Sequence, residues 1–335
     1  MISPGIIEFQ EVGEPGMLMD NEVLLGIKKI GICGSDIHAY HGNHPATCYP
    51  VVQGHEYSAI VKATGRNVRN IKPGMRATAR PQLVCGECGP CRRGQYNACQ
   101  NLRVEGFQSP GAARDLFVVT DDRIVTFPDS ITMEQGALIE PAAVGAHSTN
   151  RCSSLKGKNV VVSGAGTIGN LVAQFAAARG AAKVLITDIS EYRLGIAQQC
   201  GIKGILNVQE IGFDDGVRSF FGKEGFQVGF EAAGVQSSLG SLMQHIEKGG
   251  DVVILGVYSI NPVVNMFYLG EHELNVYGSM MYRHEDYQFA VEMIASGRII
   301  TNPIITRTFP FEQYPDAYRF IEKQQDKFMK VMIEL

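Results

Sequence analysis

Four cysteines, Cys85, Cys88, Cys91 and Cys99, lie on one short stretch with the spacing C-x2-C-x2-C-x7-C. Four thiolates this close in sequence can converge on a single ion, and zinc favours a tetrahedral cage of sulfur. The residues between them are rich in Gly and polar types and carry no helical or strand period, so the stretch reads as a small lobe folded around a metal. A closed four-sulfur cage leaves no open coordination position, which makes this zinc structural. An iron–sulfur cluster fits less well. Its common run has a shorter last gap followed by Pro, whereas Cys99 precedes Gln100.

A second constellation has a different composition. Cys33 stands in Gly31-Ile32-Cys33-Gly34-Ser35-Asp36-Ile37-His38, followed by Gly54-His55-Glu56 and later by Ile139-Glu140-Pro141. One thiolate, one imidazole and one or two carboxylates suit a catalytic zinc that keeps room for water or substrate. Each residue also has a plainer role. Cys33 can be a buried apolar filler, His55 a core histidine and Glu140 a helix-start carboxylate before Pro; spacing alone does not choose.

The third signal is Gly164-Ala165-Gly166-Thr167-Ile168-Gly169, which follows a strand-like run, Asn159–Ser163, and opens an apolar helix. In that setting the first Gly allows the tight turn, the second lets a pyrophosphate approach the backbone, and the third lets helix pack closely on strand. The unpaired N–H groups of the helix start then face the phosphates. The next strand ends at Asp188, 19 residues after Gly169. A carboxylate there accepts the ribose hydroxyls and repels a 2′-phosphate, so NAD is expected over NADP. Arg193, nearby at a helix start, is the residue that argues the other way.

These residues need a scaffold, and the 335-residue chain, 45% hydrophobic and 19% charged with 38 Gly, suits a globular protein of about two domains. Residues 1–140 are punctuated by Gly and Pro, with short apolar runs such as Glu22–Ile27, Tyr57–Val61, Arg114–Val119 and Arg123–Phe127, the pattern of a β-rich domain. From about 141, strand-like runs alternate with helix-length segments: Asn159–Ser163, Asn170–Arg179, Lys183–Asp188, Glu191–Cys200, then Val228–Glu231, Val252–Val257 and Leu274–Tyr277. That alternation predicts βαβ units and a parallel sheet. From about 283 a helix (Tyr287–Ala295) and a last strand (Lys330–Ile333) are expected to rejoin the first domain. A net charge of −4 gives no strong field for nucleic acid or anionic lipid, and no apolar run reaches the roughly 18 residues needed to span a bilayer. Eight cysteines with no secretory leader point to a reducing cytoplasm.

Taken together and in this order, the Cys33–His38 segment, Gly-His55-Glu56, the four-Cys lobe, Glu140-Pro141 and the Gly-rich turn closely resemble the zinc-dependent medium-chain dehydrogenases, over nearly the whole chain. Within them the chain is similar to the sorbitol (polyol) dehydrogenase branch and its sugar-acid relatives, because Glu140 stands where alcohol dehydrogenases place a cysteine ligand. The resemblance implies a chaperonin-10-like (GroES-like) β-rich catalytic domain, 1–141 completed by 284–335, and a Rossmann NAD domain, 142–283. It implies a catalytic zinc held by Cys33, His55 and Glu56, with Glu140 either a direct ligand or a nearby base holding a water. Zinc then lowers the pKa of the substrate hydroxyl, and hydride passes to the nicotinamide. Ser35 would take the proton and relay it through the cofactor ribose to His38.

Substrate contacts are expected from Tyr40, two positions after His38, from Glu140, and from Tyr282 and Arg283. The polyol branch places a substrate-side tyrosine at this last point with an arginine immediately before it; here Met281 precedes and Arg283 follows. Phe107 and Arg114 are further candidates, and His41 and His44 read as a solvated loop. Relatives also carry a short strand before the segment matching Gly5–Val12, and often Pro at Thr167. The expected reaction is reversible oxidation of a secondary alcohol on a polyol, sugar or sugar acid. The rivals are an L-threonine 3-dehydrogenase and a non-catalytic NAD-binding redox sensor. A homo-dimer or homo-tetramer is expected, because the last Rossmann strand would be an uncovered sheet edge.

Overall fold

The computed structural model describes residues 1–335. Two large sheets organise it. The first has seven strands in the order Ile305–Pro310, Lys330–Glu334, Glu22–Ile32, Glu56–Thr64, Arg76–Ala79 and Ile124–Phe127, with Leu116–Thr120 pairing off Glu22–Ile32. Glu22–Ile32 is its spine. The run EVLLGIKKIGI reads as a strand well past Ile27, and two register shifts, at Leu24/Leu25 and Ile27/Lys29, bend it so that one strand serves three partners. Val23, Leu25, Ile27 and Ile30 enter the core beneath it. All pairings are antiparallel except Ile305–Pro310 with Lys330–Glu334. The chain end thereby returns to the sheet that begins at Glu22.

The second sheet has six parallel strands in the order Gly204–Asn207, Lys183–Asp188, Asn159–Ser163, Val228–Glu231, Asp251–Ile254 and Asn275–Gly278. The order reverses beside Asn159–Ser163, and the crevice at such a switch point is where α/β sheets bind ligands. Its strands are near-continuous Val, Leu and Ile runs because helices cover both faces.

Three elements depart from the sequence pattern. The run expected through Val257 stops at Ile254, because the N–H groups of Leu255 and Gly256 both bond to Glu231 O and turn the chain away. The helix Ile139–Ser148 has no amphipathic period to betray it, since nine of its ten residues are buried; Pro141 sits in its first turn, where a missing N–H does no harm. Residues 1–21 form no strand, only an isolated bridge between Ser3 and Ile6.

Candidate active site and metal centres

Cys33 ends the spine strand's turn into the short helix Gly34–Tyr40, while Glu56 opens the neighbouring strand and His55 immediately precedes it. Because those strands pair, with Gly31 opposite Glu56, the three residues meet. One ligand atom from each of Cys33, His55 and Glu56 falls within 4.8 Å of the others. Gly31 is required there, since a Cβ would sit 2.3 Å from Glu56 Oε2.

Two residues to which sequence alone assigns no role, Asp36 and Lys330, complete the setting. Asp36 Oδ2 accepts from Cys33 N (2.9 Å), and its Oδ1 faces His55 Nδ1 at 3.5 Å. That arrangement leaves His55 Nε2 as the nitrogen for a metal, the usual division of labour in a carboxylate–histidine–metal triad. The Cys33-x-x-Asp36 spacing, that of a capping box, was the available signal. Lys330, across the sheet, donates to Glu56 Oε1 (2.7 Å) and Oε2 (2.6 Å). A single lysine opening an apolar strand gave no hint of this.

Glu140, at the start of the helix Ile139–Ser148, lies outside the 4.8 Å group. Its Oε1 accepts from the Tyr282 hydroxyl at 2.5 Å. Burial, with Glu56 adding its charge against the help of His55, pushes the Glu140 carboxyl up to about 7. Around His55, burial opposes the charged ring, yet Asp36 and the Cys33 sulfur outweigh it and raise the imidazole. Asp36, Glu56 and Glu140 are all at most 6% exposed, with Cys33 beside them and Lys330 the one fixed cation among them. The S, N and O donors gathered here suit zinc with a position left open.

The four-Cys lobe is equally well formed. Its sulfurs lie within 4.8 Å of one another, with Cys85–Cys99 at 3.5 Å and Cys88–Cys99 at 3.9 Å; the edge of a tetrahedral zinc–thiolate cage is about 3.8 Å. Backbone N–H groups of Gln100 and Cys91 hold the Cys88 thiol down to about 6, whereas burial and the neighbouring sulfurs push Cys91 up to about 12, so only part of the cage favours the thiolate on its own.

At the Gly-rich turn, Gly164 has φ +104° and a Cβ on it would meet Ala233 N at 2.8 Å. A Cβ on Gly169 would stand 1.8 Å from Gly164 O, whereas one on Gly166 would meet nothing within 4 Å. The turn is therefore packed on its protein side and open at Gly166, a cradle shaped for a phosphate group. The helix Thr167–Ala178, which includes Ile168, follows directly. Asp188 caps this turn: Oδ2 accepts from Ala165 N (2.6 Å), and Oδ1 from Ile189 N and Ser190 N. Arg193 is half-buried with an unpartnered Nε. Thr167 Oγ1 donates to Met329 O (3.2 Å), the residue before Lys330, which ties the Gly-rich turn to the strand whose lysine bonds Glu56.

The residues expected to touch substrate are placed differently. Tyr282 is fully buried, its hydroxyl spent on Glu140. Arg283 donates through Nε to Asn97 and pairs loosely with Glu285. Tyr40 stacks on Tyr318 at 4.4 Å. Tyr282 and Arg283 thus have internal hydrogen-bond partners, and Tyr40, half-buried, has a stacking partner. His44 is half-buried and no solvated loop residue, stacking on Phe107, which in turn packs on His55. Ser35 is half-buried and His38 exposed, three residues apart on one helix face.

A family model of zinc-binding dehydrogenases matches residues 167–296, and one of the alcohol dehydrogenase GroES-like domain matches 19–129. A 2-dehydro-3-deoxy-L-galactonate 5-dehydrogenase of Pseudoalteromonas atlantica is 32% identical over 93% of this chain and 91% of its own. The sorbitol dehydrogenase of Bacillus subtilis is 31% identical over 93% and 90%, and an L-threonine 3-dehydrogenase of Legionella pneumophila is 31% identical over 93% and 95%. Galactitol-1-phosphate dehydrogenase from Escherichia coli superposes with a TM-score of 0.92 at 28% identity, covering 99% of this chain and 98% of that one.

Proposed function

The chain belongs to the zinc-binding dehydrogenases with a GroES-like domain, and from that premise we propose that it oxidises a secondary alcohol on a polyol, sugar or sugar acid to the ketone, with NAD as acceptor. The observation that carries the reading is the convergence of Cys33, His55 and Glu56 within 4.8 Å, with Lys330, which bonds Glu56, one residue along the chain from the contact between Thr167 of the Gly-rich turn and Met329. Zinc held there would supply Lewis acidity toward the substrate hydroxyl, and NAD seated at the Gly-rich turn would supply the hydride acceptor.

The chain's own residues have defined tasks. Cys33 and His55 would hold the ion, Asp36 orients His55, and Glu56 is engaged by Lys330. Glu140, drawn to Tyr282, stands ready as a further ligand or as a base holding a water. Ser35 takes the substrate proton, and His38 on the same helix face delivers it to solvent. Gly164, Gly166 and Gly169 seat the pyrophosphate, with Thr167 and Ile168 opening the helix whose N–H groups face it. Asp188 meets the ribose hydroxyls and Arg193 lies beside them, so affinity for NAD should exceed that for NADP. The domain division is 1–141 with 284–335 against 142–283. The working form is a homo-oligomer built on the uncovered edge of the parallel sheet.

A panel of C4–C6 polyols, aldonates and L-threonine, assayed for NADH formation, tests the substrate class. Polyols or aldonates should be oxidised; activity on threonine alone would replace the reading with a threonine 3-dehydrogenase. Metal analysis should give two zinc ions per chain, whereas one would favour a non-catalytic nucleotide-binding protein.

A further inference from the structure

The four-Cys lobe grips the segment 280–284 at three points. Gln82, three residues before Cys85, donates through Nε2 to Tyr282 O (3.0 Å). Asn97, two residues before Cys99, donates through Nδ2 to Met280 O (2.9 Å) and accepts from Arg283 Nε (3.3 Å). The N–H of His284 donates to the Tyr96 hydroxyl (2.5 Å). Gln82 and Asn97 are both buried. The gripped segment contains Met281 at φ +48°, a left-handed conformation that a side-chain-bearing residue keeps only when its surroundings over-determine it.

Directly after Met281 comes Tyr282, whose hydroxyl holds Glu140 and whose ring packs edge-on against Tyr287 at 4.9 Å. Asn97 also meets His147 Nε2 at 3.4 Å, at the far end of the helix that Glu140 opens, and His147 Nδ1 is bound to Asp286 at 2.7 Å. Both the group that holds Glu140 and the tail of its helix are thus tied to the lobe.

We propose that the four-Cys lobe is the clamp that positions Glu140, with Asn97 as a positioning residue acting through the strained segment and Tyr282. The proposal rests on Glu140 serving the reaction, as above. It makes the order of the structural metal lobe a condition for the geometry of the reacting site.

A double-mutant cycle tests it, with Asn97→Ala, Glu140→Gln and the pair, each at two zinc ions per chain. Asn97→Ala should lower kcat about 10- to 100-fold with little change in KM, the scale of a misplacement near one ångström. The pair should be no slower than Glu140→Gln alone, because both changes act through one carboxylate. With cobalt(II) in the catalytic site, the visible absorption of Asn97→Ala should shift in the resting enzyme. Asn97→Asp, which keeps the contact to Arg283 but sets a carboxylate oxygen against Met280 O, should show a shift at least as large and carries the cycle should the alanine variant not fold. Additive losses, or an Asn97 variant with unchanged kcat and spectrum, would overturn the clamp. Full activity of Glu140→Gln would instead remove Glu140 from the mechanism, and the clamp with it.

Discussion

Glu56 and Lys330 pose a sharp electrostatic question at the level of single residues. Both are almost completely buried and both Glu56 oxygens face Lys330. Removing one member of such a pair strands the other charge in a low-dielectric interior, at a cost of about 3–5 kcal/mol. Lys330→Met should therefore destabilise the metal-free protein by about that amount in urea unfolding, and saturating zinc should recover part of the loss by giving Glu56 a new partner. A loss unaffected by zinc would separate Glu56 from the metal. Ser35 carries a second prediction. Ser35→Ala should cut turnover about 100-fold, the range of a lost proton-transfer group, while metal content and NADH binding, measured by fluorescence, stay at wild-type levels.

Among the elements, the strand–turn–helix around Gly164–Gly169 shows how two glycines in one motif differ. Gly169 is fixed by packing, since its Cβ would collide with Gly164 O, whereas Gly166 borders open space. Gly169→Ala should push the helix Thr167–Ala178 off its strand, costing about 1–3 kcal/mol of stability and weakening NADH binding together with it. Gly166→Ala should leave the melting temperature within about a degree or two, as a small surface change does, yet weaken NADH by filling the phosphate cradle. Calorimetric melting and NADH titration of the two variants check this; a matching loss of stability in both would show that the cradle is not open. The helix Ile139–Ser148 shows the opposite side of legibility. Buried all round, it offers no period, although it carries Glu140 and His147.

At the scale of the whole molecule, the parallel sheet ends at Asn275–Gly278, which pairs on one side only, with Asp251–Ile254. In the connection that leads into it, Val257, Ile260 and Val263 are each at least 80% exposed, with Met266 and Phe267 also bare. An open edge flanked by apolar side chains is a surface that natural proteins cover. Val276→Lys, on the edge strand itself, should shift the protein from dimer or tetramer toward monomer at micromolar concentration, as read by sedimentation equilibrium. A wild-type chain that sediments as a monomer would remove the oligomer.

What the amino-acid order determined by itself is whatever chemistry was local. The four-Cys lobe is legible because its ligands span 15 positions, the Gly-rich turn because strand, glycines and helix are contiguous, and the parallel sheet because its strands are short apolar runs between helices. Cys33, His55 and Glu56 were legible only as a resemblance, since 22 positions separate the thiol from the imidazole and strand pairing brings them together. Tertiary structure alone decided the rest. Lys330 reaches Glu56 across 274 positions, Tyr282 reaches Glu140 across 142, and Asn97 reaches Met280 across 183. It also gave Tyr282 and Arg283 internal partners, Glu140 and Asn97, that no spacing announced. Contacts of that range leave no period or spacing in a chain, because they depend on where whole sheets and helices come to rest and on which buried polar groups must then find each other.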